Sequence, residues 1–244
     1  MSLILVTGAS SGLGLETVNA LADAGHDVVL HARNPERLSR QDVHERVEHV
    51  LFGDLGSLDE TVHLAKQAND LGSFDAVIHN AGVLRGPEVL AVNVVAPYVL
   101  TVLMTPPKRA IFLSSSMHLS GSADPTAMDF SRTPRHGRAY EDSKLYLTAL
   151  AMAFFTRYPQ MMAHAVDPGW VPTRMGGAGA PDSLVVGRRT QEWLATAAAE
   201  TIEPRSGSYW YHRQVQRAHK AAADSAFQGI LLEKLESHTG LAPT

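Results

Sequence analysis

A phenol and an ammonium stand four residues apart at Tyr140 and Lys144, in the stretch AYEDSKLYLTALAMAFF. On a helix that spacing puts both side chains on one face. A free tyrosine ionises at a pH of about 10, and a cation within a few ångströms favours the phenolate, so the pair offers a proton donor or acceptor. The same spacing also occurs as a plain surface pair. A second stretch, Thr7-Gly-Ala-Ser-Ser-Gly-Leu-Gly14, follows the apolar run LILV and leads into LETVNALADAG. Glycines there let the backbone approach a ligand, and a helix N-terminus favours phosphate. The spacing GxxxGxG equally suits a turn needed only for packing. With no cysteine in 244 residues, disulfides, thiolate nucleophiles and cysteine-ligated zinc are excluded.

The elements that must hold these groups follow from patterning. Strand-like apolar runs at 3–6, 27–32, 47–55, 75–80, 109–115 and 162–169 alternate with helix-like segments. That order predicts βαβ units and an α/β fold: one domain over 1–244, a doubly wound parallel sheet (Rossmann fold) with helices on both faces. The glycine turn then joins the first strand to a helix closed by Gly25, and Tyr140 and Lys144 open a long helix stopped at Pro159. Residues 174–190, with their glycines and proline, are expected as a mobile loop, in functional terms a lid. GSYWYH reads as a short strand, HRQVQRAHK (212–220) as a solvated connector, and AFQGILLEKLESHTG as a final helix. A composition of 45% apolar and 19% charged residues with net charge −4 fits an ordinary globular chain and argues against a general nucleic-acid binder. No apolar stretch approaches the ~20 residues that span a bilayer. The N-terminal run lacks the basic segment and cleavage site of a signal peptide, so a cytoplasmic protein without membrane or nucleic-acid partners is expected.

In chain order, Thr7-Gly-x-x-x-Gly-x-Gly14, Asn80-Ala-Gly82, Asn93, the serines 114–116, Tyr140-x-x-x-Lys144 and Pro168-Gly-x-Val-x-Thr173 resemble the motifs of short-chain dehydrogenases/reductases over at least residues 3–173. The resemblance implies an NAD(P)-dependent oxidoreductase that interconverts a hydrophobic ketone or aldehyde and its alcohol by hydride transfer. It implies that Gly8, Ser10, Ser11, Gly12, Leu13 and Gly14 cradle a pyrophosphate and that Asp54, with Leu55 beside it, contacts adenine. Asn80, Ala81 and Gly82 would pack near the adenosine ribose, and Val171 and Thr173 would hold the nicotinamide amide. Tyr140 is then the acid in reduction and the base in oxidation. Lys144 lowers its pKa and holds ribose hydroxyls, Ser115 stabilises the substrate oxygen, and Asn93 holds a water on the proton path. Ser114 and Ser116 are expected to serve packing or turns. The second strand ends Ala32-Arg33 without a carboxylate, which favours NADP(H) through a 2′-phosphate on Arg33. Ser11, where NADP-preferring members often carry a basic residue, keeps NAD(H) possible.

Two departures from the family pattern carry consequences. Ser115 and Tyr140 are 25 positions apart, about twice the ordinary gap, as in retinol-dehydrogenase-like members, so residues 117–138 are expected to form a loop over the substrate. His118 and His136 within it are read as surface residues, and no metal site is expected. Only ten residues separate Gly82 from Asn93, and the helix beyond must end by Pro106-Pro107. Because that helix often builds the family's dimer, a monomer is as acceptable as a homodimer. Leu84, Met117, Leu119, Phe130, Trp170, Met175, Leu184 and Trp193 are candidates for an apolar substrate pocket or for core. The alternative function is a non-catalytic dinucleotide-binding regulatory protein, since a fold never proves turnover.

Overall fold

Runs such as LILV, VVLHA and AVIH are apolar on both faces, and only a sheet covered on both sides can use them. The computed structural model, which describes residues 1–38, 46–131 and 137–243, builds that sheet. The first six strands are β1 (Leu3–Val6), β2 (Asp27–Ala32), β3 (His49–Phe52), β4 (Ala76–His79), β5 (Arg109–Leu113) and β6 (Met162–Asp167). β7 (Ser208–Tyr211) and β8 (Gln214–Gln216) complete an eight-stranded sheet of order β3-β2-β1-β4-β5-β6-β7-β8. All pairings are parallel except the β7–β8 hairpin. The order reverses between β1 and β4, so a crevice opens at their C-terminal ends, where open α/β sheets bind ligands.

The helices are α1 (Gly12–Asp23), α2 (Leu58–Leu71), α3 (Ala96–Leu103), α4 (Ala139–Arg157), α5 (Leu184–Thr196) and α6 (Ser225–Thr239). Side chains alternate across each strand. Ile4 and Val6 therefore bury with Val18 and Leu21 of α1 and Leu194 of α5 on one face, while Leu5 buries with Leu64 and Ala68 of α2 and Leu100 of α3 on the other. Phe112 of β5 joins Leu150 and Phe154 of α4, which are covered in turn by Leu231 and Leu235 of α6. This outer helix explains why α4 is buried on nearly every side.

Three local expectations need correction. The segment 174–190 is a loop only to Ser183, whose hydroxyl accepts from Val186 N–H and starts α5. Gly187, Thr190 and Gln191 are buried there. The expected connector 212–220 contains β8, joined to β7 through His212 and Arg213, both in the left-handed region (φ 48° and 60°). That geometry matches the twist of a tight hairpin, but its usual Asn-Gly signal is missing. The third strand is shorter than 47–55, because Gly53 and Asp54 already turn toward α2, with Asp54 N–H donating to Glu60 Oε2.

Candidate active site

The glycine turn is held by the strands beside it. Gly8 sits at φ +63°, and a Cβ there would lie 2.7 Å from Ala81 Cα. A Cβ on Gly14 would lie 2.4 Å from Asn80 Nδ2. Asn80 in turn donates to Thr7 O (2.9 Å) and Gly8 O (3.3 Å), and Ala81 N–H donates to Thr7 Oγ1 (3.1 Å). Asn80-Ala-Gly82 is thus the surface onto which the turn closes. His31, which belongs to no local motif, completes the clamp: its Nδ1 accepts from Gly8 N–H (3.0 Å) and its Nε2 hydrogen meets Gly53 O (2.9 Å). Burial lowers its pKa to about 4, so it stays neutral in this tautomer.

At the mouth of the turn, Ser11 occupies the N-cap of α1, yet no side chain caps the helix. The first amides of a helix lack intrahelical acceptors. They are left for an anion here, next to Gly12, which faces Thr173 Cγ2. Ser10 is half-buried and Ser11 exposed, while Leu13 turns into the core. These residues fit a pyrophosphate. Val171 is buried, and Thr173 Oγ1 accepts from Gly176 N–H (3.1 Å). Arg33 and Asp54, expected to serve different parts of a cofactor, form an ion pair at 3.6 Å, and Asp54 Oδ1 also accepts from Gly56 N–H. The Leu55 side chain is buried in the core with Leu64 and Val92.

Around the second half of the crevice, α4 presents Tyr140 and Lys144 beside the end of β5. The Ser115 hydroxyl lies close enough to the Tyr140 phenol to favour its ionised form. It also accepts from Met117 N–H (3.2 Å). Its neighbours serve elsewhere: Ser114 bonds Thr148 Oγ1 (2.7 Å) inside the core, and Ser116 faces solvent. Lys144 is buried, donates to Leu113 O (2.6 Å) and lies 5.5 Å from the Tyr140 ring centroid. Burial lowers its pKa to about 8, against the opposing pull of Asp167. The expectation that Lys144 depresses the Tyr140 pKa is not met. Burial pushes the phenol up to about 12, with the nearby Ser115 hydroxyl opposing the rise and Asp167 and Glu141 adding to it.

Asn93 lies in a π-turn (Ala91–Val95) before α3 and is fully buried. Its Oδ1 accepts from Val83 N–H (2.8 Å), and its Nδ2 donates to Val83 O (3.0 Å) and Ser143 Oγ (2.9 Å). Ser143 Oγ donates to Tyr140 O (2.7 Å). The Asn93 side chain therefore clamps the start of α4.

Two further groups were not legible as site residues. Asp167, the last residue of β6, is buried and accepts from Tyr209 O–H (3.0 Å) and Gly169 N–H (2.9 Å). His118, expected at the surface, is wholly buried. Its Nδ1 hydrogen meets Ser115 O (2.7 Å), its Nε2 accepts from His219 N–H (3.1 Å), and its ring packs 4.4 Å from that of Tyr209. A serine-rich turn folding under β7 hides it, which no local pattern reveals. His136 lies outside the described residues, and among those described no group of three or more His, Asp or Glu side chains is placed to hold a metal.

The apolar candidates divide by packing. Phe130 packs on Tyr146 of the core, Trp193 on Trp210, and Leu184 against the α1 side, so these three are core. Leu84 is half-buried. Met117, Leu119, Trp170 and Met175 are exposed around the crevice. Met175 reaches across it: its Cε lies 4.0 Å from the place of a Cβ on Gly82, where Lys144 Nζ and Asn93 also converge.

Comparisons with known proteins agree with this geometry. A family model described as short chain dehydrogenase matches residues 2–109. The short-chain dehydrogenase chyC of Penicillium rubens is 39% identical, covering 99% of this chain and 98% of its own. An uncharacterized oxidoreductase of Emericella nidulans is 36% identical with the same coverage. Among solved structures, a protein from Mycobacterium paratuberculosis superposes with a TM-score of 0.83 at 20% identity, over 100% of this chain and 95% of that one. The NADPH-bound carbonyl reductase from chicken fatty liver superposes at 0.71 and 21% identity, over 88% and 98%. At these identities the structural likenesses establish the fold. No helix among the described residues is long and apolar enough to cross a membrane.

Proposed function

The chain belongs to the short-chain dehydrogenase/reductase family and is an oxidoreductase of that type; from that premise we propose that it is an NADP(H)-preferring carbonyl reductase acting on a hydrophobic ketone or aldehyde. The observation that carries this reading is the Ser115 hydroxyl set beside the Tyr140 phenol, with Lys144 buried behind it at Leu113 O. A bound nicotinamide cofactor would supply the hydride. The α1 amides and Gly12 would hold its pyrophosphate, Val171 and Thr173 its amide, and Lys144 its ribose hydroxyls. Ser115 and Tyr140 then aim two hydroxyl groups at one substrate oxygen. Tyr140, protonated through the neutral range, gives its proton to the alkoxide as charge develops there, and Ser115 stabilises that charge. Asn93 acts through Ser143 by fixing the first turn of α4. The single-domain organisation and the loops around 117–131 and 174–183 serve the same reading, as walls of the crevice.

For cofactor choice, the supporting observation is the half-exposed Arg33, whose ion pair among the described residues is with Asp54, a partner that a 2′-phosphate would displace. One experiment covers both claims: NADPH and NADH titration by tryptophan fluorescence, with NADPH consumption on a panel of hydrophobic ketones. Tyr140→Phe is expected to bind NADPH while losing about 10²- to 10⁴-fold in kcat. Arg33→Ala should weaken NADPH by about tenfold, an exposed charge-assisted contact of roughly 1.5 kcal/mol, and leave NADH unchanged. Nucleotide binding without turnover on any carbonyl would instead favour the regulatory role.

A further inference from the structure

The turn that follows Ser115 has one internal anchor. Of its five residues, Ser116–Ser120, only His118 is buried, and it is buried completely. Ser115 opens the turn: its hydroxyl oxygen accepts from Met117 N–H (3.2 Å), and its carbonyl takes two donors, His118 N–H (3.0 Å) and the His118 ring at Nδ1 (2.7 Å). A carbonyl only accepts and a backbone N–H only donates. The ring must therefore carry its hydrogen on Nδ1, toward Ser115 O, and leave Nε2 bare for His219 N–H (3.1 Å). Burial lowers the pKa of the ring, which keeps it in that neutral tautomer. Tyr209 fixes the ring from the side: it packs 4.4 Å away and is itself held by its hydroxyl on Asp167 (3.0 Å).

We propose that His118 is a positioning residue for Ser115: by pinning the Ser115 carbonyl from Nδ1 it sets the direction of the Ser115 hydroxyl, and through Nε2 it ties that setting to the segment after β8. The role follows from what surrounds the hydroxyl. A serine hydroxyl has one hydrogen and two lone pairs. Met117 N–H takes one lone pair, so the hydrogen is free to face the crevice only while the turn keeps Met117 over Ser115. Ser116, Met117 and Leu119 are exposed and supply no packing to keep it there. The Nδ1 contact is what holds the turn closed from beneath. Such placement matters for chemistry, since a donor stabilises a developing oxyanion only when held about 2.7–3.1 Å from it. The inference rests on the reductase reading for what the Ser115 hydroxyl meets, but the arrangement that aims it does not.

The two ring nitrogens can be tested apart. His118→Asn puts an amide N–H near the place of Nδ1 and nothing at Nε2, whereas His118→Gln puts an amide oxygen near the place of Nε2 and no donor at Nδ1. Both remove the ring from Tyr209, so both should lower the melting temperature by a similar amount. With NADPH and the ketone that the wild-type protein reduces fastest, His118→Gln is expected to lose about 10- to 100-fold in kcat, the cost of a misplaced group, while His118→Asn stays within about threefold of wild type and KM changes little in either. Amide exchange at Met117, read by NMR, needs no turnover: the amide should be protected in the wild type and in His118→Asn, and exchange about tenfold faster in His118→Gln. In the wild-type protein alone, two-bond proton–nitrogen correlation spectra should show the Nδ1–H tautomer of His118 at neutral pH, a result that decides even if neither variant folds. Equal losses of kcat in the two variants, no loss in either, or the Nε2–H tautomer in the wild type overturns the proposal. If no ketone is reduced and the exchange pattern appears, the positioning role stands and the reductase reading falls. If no ketone is reduced and Met117 exchanges alike in both variants, both fall.

Discussion

Burial decides which protons the site holds. Tyr140 keeps its phenolic hydrogen to about pH 12, whereas Lys144 loses its charge near pH 8, since desolvation disfavours phenolate and ammonium alike. Asp167 raises both. The protein without cofactor is therefore set as a proton donor, and the two directions of reaction should respond to pH differently. Carbonyl reduction uses the phenol, which is fully populated through neutrality, so kcat/KM for reduction is expected to be flat from about pH 6 to 7 and to fall through about pH 8, where Lys144 deprotonates. Alcohol oxidation uses the phenolate, whose fraction grows about tenfold per pH unit below the pKa, so its kcat/KM should climb with that slope from about pH 6 toward 8 and level off above it as Lys144 loses its charge. Initial rates in both directions across that range check this. A plateau in oxidation below pH 8 would mean that Tyr140 is far more acidic than its surroundings imply.

At the level of elements, the β1–α1 turn separates two demands made on its glycines. Gly8 would drive a Cβ into the backbone of Ala81, whereas Gly12, also left-handed at φ +58°, would meet only the Thr173 methyl at 3.2 Å. The left-handed strain of about 1–2 kcal/mol is common to both, and the backbone clash is not. Gly8→Ala should therefore cost several kcal/mol in urea unfolding, and Gly12→Ala about 1–2 kcal/mol, while both weaken NADPH. The turn's identity was legible because its spacing is local in sequence, as was the Tyr140–Lys144 pair and the alternation of strands with helices. His31, Ser143 and Asp167 were not legible as parts of a site, because each gains its meaning from a partner in another element: Gly8 and Gly53 for His31, Asn93 for Ser143, Tyr209 for Asp167. Distance along the chain hid His118 in the same way, with its second partner 101 residues onward. The β7–β8 hairpin escaped for a different reason: its turn residues, His212 and Arg213, adopt a glycine-like conformation without being glycine or asparagine.

Across the whole molecule, the core carries a titration of its own. His31 of β2, His79 of β4 and His164 of β6 are all buried within the sheet, and desolvation lowers their pKa values to about 4, 3 and 4. Two have fixed neutral tautomers: His31 between Gly8 and Gly53, and His164 between Trp210 Nε1–H and Arg205 O. His79 stacks on Phe112 at 4.6 Å and hydrogen-bonds the Thr101 hydroxyl. In the unfolded chain each ionises near 6.5. Between about pH 4 and 6.5 the unfolded state thus binds more protons than the folded one, and stability must fall as pH falls through that window. Above 6.5 these groups are neutral in both states and contribute no slope. The expected outcome is a urea midpoint that is nearly level from pH 7 to 8 and drops steeply from 6.5 to 4.5, with uptake of about three protons by these histidines on unfolding near pH 5 and a further contribution from the buried His118. His79→Phe keeps a ring against Phe112 and removes one titrating group, so it should reduce that uptake by about one proton even if it changes the midpoint at neutral pH. Measured slopes that are unchanged by the substitution would place the acid sensitivity in other groups and show that the sheet tolerates a charged His79.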